Sequence, residues 1–216
     1  MGIDVKVFHI IHIAPVRRIQ AYNQVKPPFA FKYDPCFASC KSRKLTADSP
    51  QRFVLEDLAK ISSSQDLNRI YPNANKKEGT DLFEEGTVER AYTILFPDTP
   101  NEILITWNDL NRSTIHSLRV EEPGDWKSRK GIRIGTTYEE LVKMNGPLKF
   151  YGFGWDYSGA VDWNNGKFSD TNIRVFLAPK NTPPNKFYGD RIIEASEEEI
   201  DALDLSVQAI MYQKPE

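Results

Sequence analysis

The residues best equipped for chemistry lie between positions 150 and 163. FYGFGWDYSG, residues 150–159, is the densest patch of aromatic and glycine residues in the chain. Asp156 and Asp162 flank Gly159 there, and glycoside hydrolysis requires two facing carboxylates. Six residues of extended chain span ~20 Å, so these acids meet only if a hairpin folds them together. Charged positions on the polar side of a strand account for both more simply. The rings offer binding instead. In a strand, period two puts Tyr151, Phe153, Trp155 and Tyr157 on one face, and Phe150, Gly152, Gly154 and Asp156 on the other. The ring face is either a core layer or an exposed platform for a glycan or a protein, with Trp107 and Trp163 as further candidates. The glycine face admits a close backbone neighbour.

Other chemistries find little support. A Ser-His-Asp triad needs a positioned histidine, and beyond residue 52 there is only His116, inside TIHSLRV. Alternation sets it opposite Ile115, as a surface or cross-strand residue. No G-x-S-x-G elbow and no phosphate-binding glycine loop opens a helix after a strand. Asp162-Trp-Asn164-Asn-Gly166 departs from a calcium loop, since the glycine comes one place early and no Glu closes it. No catalytic residue, metal or cofactor is expected.

The only cysteines, Cys36 and Cys40, form a C-x-x-x-C pair without the second pair that a structural zinc site requires. Both lie in a basic stretch. Residues 1–52 carry nine Lys and Arg against three Asp, whereas the remainder carries 19 against 27. That asymmetry marks residues 1–52 as a leader or arm. Its apolar run VKVFHIIHIAPV is too short to span a membrane, and no other stretch does so. Phe37-Ala38-Ser39-Cys40 followed by KSRKLTADSPQR partly matches a lipoprotein cleavage and lipidation site with its tether. The other reading is an arm with two incidental thiols. A net charge of −2 gives no electrostatic support for nucleic-acid binding.

Residues 53 onward have the regular patterning of a folded domain. FVLEDLAKI suits a short strand or a helical turn. Ser62 with Gln65, or Ser63 with Asp66, starts a helix that Pro72 stops. Strands are expected at 88–96, 102–107 and 114–120. Thr136 with Glu139, or Thr137 with Glu140, caps a second helix, and Asn145-Gly146-Pro147 ends it with a glycine suited to a left-handed cap. Strands at 149–157, 159–163 and 172–179 follow, with Asn165-Gly166 as a tight-hairpin signal. A capped helix at Ser196 and a strand at 206–214 close the chain.

This order predicts an α+β fold of two similar units, 53–130 and 131–216. Each is a short capped helix on an antiparallel β-meander, and the two share one continuous sheet. The element GIRIGTTYEELVKMNGP, residues 131–147, resembles the repeat unit of β-lactamase-inhibitor proteins and of the small lipoproteins of outer-membrane assembly. The run from about Ile61 to Lys214, with EILITW and FYGFGWDYSG, is similar to a family of uncharacterised bacterial envelope proteins. The resemblance implies a non-enzymatic binding or assembly module on the periplasmic side of the cell envelope. The alternatives are a carbohydrate-binding or carbohydrate-acting protein using residues 150–163, and a structural domain without a ligand.

Overall fold

The computed structural model describes residues 53–154 and 156–214. The basic stretch with Cys36 and Cys40, and Trp155, lie outside the described residues.

The chain is α+β, and its strands pair antiparallel in every ladder. Two short helices, α1 (Leu55–Leu58) and α2 (Ser64–Ile70), precede β1 (Lys76–Phe83), β2 (Val88–Leu95), β3 (Ile103–Trp107) and β4 (Ile115–Val120). Helix α3 (Tyr138–Asn145) is followed by β5 (Lys149–Phe150), β6 (Val161–Asp162) and β7 (Ile173–Pro179). Helix α4 (Glu197–Asp201) leads to β8 (Leu205–Gln213). Six strands form one sheet in the order β1-β2-β3-β4-β8-β7, and β5-β6 is a separate ribbon. Strand β8 enters between β4 and β7, so strands from before and after residue 130 share one sheet.

Short helices survive because each start is tied down. Ser63 Oγ accepts from Asp66 N at 3.1 Å, so Ser63–Asp66 is the pair that caps α2. Thr137 with Glu140, and Ser196 with Glu199, form complete capping boxes. Thr136 is used differently: its buried hydroxyl accepts from Arg133 N, and its carbonyl accepts from Val207 N at 2.9 Å. With Gly135 N donating to Val207 O, this fixes the α3 entry against β8. Packing does the rest. Leu55, Leu58, Leu67 and Leu141 join Ile103, Ile105, Leu118, Val175 and Ile210 in one cluster on the inner sheet face. Each such side chain contributes ~1.5–3 kcal/mol on burial.

Several elements depart from the sequence expectation. Strand β1 was not foreseen, because KKEGTDLF sits at the sheet edge and shows no apolar alternation. The full meander expected after α3 is reduced to two-residue strands β5 and β6 before β7. Asn165-Gly166 does not turn a two-residue hairpin. Asn164 and Asn165 have positive φ, and Gly166 sits against Asn145, where a Cβ would lie 2.2 Å from the amide nitrogen. Gly146 ends α3 at φ 97° and ψ −167°, a glycine conformation other than the left-handed helical one.

Asn145 explains this loop. It is buried at the end of α3, its Nδ2 donates to Trp163 O at 3.0 Å, and its Oδ1 accepts from Phe168 N at 3.0 Å. Its own carbonyl accepts from Lys167 N. One amide therefore organises residues 163–168 in place of a hairpin turn.

Candidate functional site

The aromatic stretch is not a continuous strand. Pairing in β5 stops at Phe150, and only isolated bridges at Tyr151 and Phe153 continue it. Positive φ at Gly154, Ser158 and Gly159 turns the chain back on itself. The segment 151–153 is held between two others. Tyr151 N donates to Ala160 O at 2.9 Å on one side. On the other, Gly152 N donates to Arg191 O at 2.9 Å and Phe153 N to Phe187 O at 2.8 Å. The glycines permit this approach: a Cβ on Gly152 would lie 2.4 Å from Gly189 O, and one on Gly159 would lie 2.1 Å from Leu177 O.

The predicted single ring face is corrected accordingly. Phe153 does not stand beside Tyr151 on one face; it is 6% exposed and packs on Phe150 with ring centroids 5.9 Å apart. Phe150 in turn meets Tyr138 edge-on, so both phenylalanines belong to the core. Trp107 is fully buried, and its indole N–H donates to Thr93 Oγ1 at 3.0 Å. Trp163 is buried on Phe168, its N–H donating to Ile173 O. Of the two alternatives for these rings, core layer or exposed platform, both tryptophans take the core. A buried indole needs an acceptor, and each has found one in the sheet.

Tyr151 and Tyr157 remain near the surface. Their rings stack at 4.6 Å with 20° between planes, and both are half-buried. The loop between them is closed where Gly159 N donates to Gly152 O at 3.1 Å. Asp190 holds the loop from outside, accepting from Tyr157 N at 3.3 Å. Partial burial pushes the Tyr151 phenol above its ordinary pKa, and the nearby Asp162 carboxylate and the Tyr157 ring add to this. Asp162 itself accepts from Asn164 N, and Asp156 is exposed.

Tyr188 was missed from the sequence. It is 42% exposed and lies over Gly154, where a Cβ would come within 3.1 Å of its ring. The only sequence sign was a tyrosine beside a glycine in the loop NTPPNKFYGD. Its placement beside residue 154 depends on the pairing of 187–193 with 150–153, which local patterning does not contain.

Of the two places open to His116, it takes the cross-strand one: it is buried at 6% exposure, at a register shift opposite Thr106 and Trp107. Its Nδ1 lies 3.0 Å from Asn108 Oδ1 and its Nε2 3.9 Å from Glu84 Oε1, while Arg90 bonds the same carboxylate at 2.6 Å. This network ties the β1–β2 turn to β3 and β4. Among the described residues, no three His, Cys, Asp or Glu side chains gather as a metal site. No described helix is long and apolar enough to cross a membrane. A shallow groove of about 530 Å³ beside α3, lined by Arg133, Thr136, Glu140 and Lys143 among others, carries mixed charge and no ring.

Comparison with known proteins adds a distant likeness. No family model matches the chain, and no curated protein matches it. A crystal structure of the uncharacterised protein YfeY from Escherichia coli is similar with a TM-score of 0.45 and 14% identity. The match covers 71% of this chain and 89% of that one.

Proposed function

We propose that this chain is a non-enzymatic binding or assembly module of the bacterial cell envelope, engaging its partner through the surface formed by Tyr151, Tyr157 and Tyr188. The observation that carries this reading is the Tyr151–Tyr157 stack, held at 4.6 Å on a backbone interlocked through Gly152 and Gly159, with Tyr188 exposed over Gly154 of the same loop. Pre-ordered tyrosines present large amphipathic area with little entropy left to lose, which suits recognition. The envelope setting is supported by the resemblance of residues 131–147 to envelope modules. Photo-crosslinking in cells from a benzoyl-phenylalanine at position 157 or 188 tests this. The reading expects a discrete adduct from both positions and none from position 86, and an absence of adducts from both contradicts it.

A glycan is the second reading, favoured by Asp162 and Asp190 beside the stacked rings. A sugar ring stacks on an aromatic face while adjacent carboxylates accept from its hydroxyls. Glycan-array binding that disappears in Tyr157→Ala, with circular dichroism unchanged, would establish it, and a flat array would eliminate it. Mass analysis of Cys40 in protein recovered from bacteria separates a lipidated module from one with a free thiol.

A further inference from the structure

We propose that β1 is a self-pairing edge, through which two copies of this chain join antiparallel across a two-fold axis and extend the sheet. The two ends of the six-stranded sheet differ. At the β7 end, Leu177 N donates to Gly159 O at 2.8 Å, Ala160 bridges Phe176, a register shift breaks the strand, and Pro179 closes it. At the β1 end, eight residues pair with β2 in unbroken register, and among the described residues no further strand pairs with β1. Such an edge is a template for another strand.

The phase of its backbone is fixed by Phe96 N, which donates to Asn75 O at 2.9 Å. Counting in twos along an antiparallel ladder, the odd residues Lys77, Gly79 and Asp81 bond toward β2, and the even residues Lys76, Glu78, Thr80 and Leu82 direct N–H and C=O outward, with Leu82 N donating to Asp81 Oδ1 at 2.8 Å in the isolated chain. A second β1 must pair through these even residues. The register centred on Gly79 places Glu78 against the partner's Thr80 as the hydrogen-bonded pair. It sets Lys77 opposite the partner's Asp81, and by symmetry Asp81 opposite the partner's Lys77. These are non-hydrogen-bonded positions, where side chains come closest, at Cα separations of ~4.5 Å. No like charges face each other in this register. A slip of two residues one way sets Glu78 against its own copy, and the other way leaves Lys77 opposite Phe83.

Two features at the axis fit the same register. Gly79 leaves its outer face to Tyr92, whose hydroxyl would lie 2.6 Å from a Cβ there. With Gly79 on the two-fold axis, the phenols of both copies lie over neighbouring glycines and extend one polar seam across the junction. On the inner face Leu82 is 60% exposed, and the aliphatic stem of the partner's Lys76 would cover it.

The test is sedimentation of the full chain at low salt, from about 5 µM to about 500 µM, a range suited to a small interface. The dimer fraction is expected to rise with concentration. Asp81→Lys is expected to weaken dimerisation at least about ten-fold, because two attractive pairs become repulsive. The double swap Lys77→Asp, Asp81→Lys is expected to restore it, since each pair is then rebuilt with its signs exchanged. Both positions are exposed, and circular dichroism checks that each variant folds. A chain monomeric throughout, a dimer indifferent to Asp81→Lys, or a loss that the double swap leaves unrepaired would each overturn the proposal.

Discussion

Substituting Gly159 by alanine tests how the candidate surface is built. Gly159 has φ +78°, and an added Cβ would lie 2.1 Å from Leu177 O and 3.1 Å from the Phe153 ring. The first contact is backbone and cannot rotate away. It belongs to a junction in which Leu177 N donates to Gly159 O at 2.8 Å. A left-handed conformation costs an alanine ~1–2 kcal/mol, and forcing a methyl into filled space adds ~1–3 kcal/mol. Restricting the unfolded chain returns only ~0.4–1 kcal/mol. The net loss is therefore ~2–4 kcal/mol, which lowers Tm by roughly 5–15 °C for a chain of this size. Gly86 supplies the control, because its φ is +82° yet nothing lies within 4 Å of its Cβ position. Gly86→Ala bears the conformational cost without the clash and loses ~1 kcal/mol. Calorimetry and urea titration of both variants measure the difference. A Gly159→Ala protein as stable as Gly86→Ala would refute the close packing of residue 159 on β7.

Asn145→Ala leaves the Trp163 carbonyl and the Phe168 N–H without their side-chain partner in a buried site, and is expected to lose ~2–4 kcal/mol by urea denaturation. Asn145→Asp is expected to lose more at neutral pH, since it turns a carboxylate toward carbonyl oxygens, and to recover part of that as the buried acid protonates on acidification. Acid lability of the native chain follows from Asp57, Asp66 and Glu199. Lys60 holds Asp57 below its ordinary value, Ser62 does the same for Asp66, and Lys186 for Glu199. A depressed folded pKa contributes stability above the unfolded value that disappears as pH falls through the folded one. Stability should therefore decline below the ordinary Asp value of 3.8, and thermal melts between pH 6 and pH 2 at low salt, roughly the range of this linkage, would show it. A flat profile would contradict those pairings.

Much of the frame was legible because it is local. Thr137 with Glu140 and Ser196 with Glu199 announced their helices, and both boxes form. Alternation located β2, β3, β4, β7 and β8 to within a residue or two, since each buries one face. Strand β1 was invisible for the converse reason: as a charged edge it has little to bury. The ring stretch misled because alternation was carried past Phe150, where Gly152 and Gly159 admit backbone from residues 189 and 177. Those contacts are remote in sequence, and they decide which rings are dry. Phe153, Trp107 and Trp163 entered the core, whereas Tyr151 and Tyr157 met across a reversal. Tyr188 reached Gly154 of the same loop through pairing with Phe153 that no local pattern records.

Tyrosine nitration read by mass spectrometry, with and without a bacterial envelope extract, tests the central claim most directly. In the isolated chain Tyr188 and Tyr157 should label while Tyr71, at 5% exposure, does not. Addition of the extract should protect Tyr157 and Tyr188 together and leave Tyr92 labelled as before. Undiminished labelling at Tyr157 and Tyr188, with protection appearing at another face, would contradict the account.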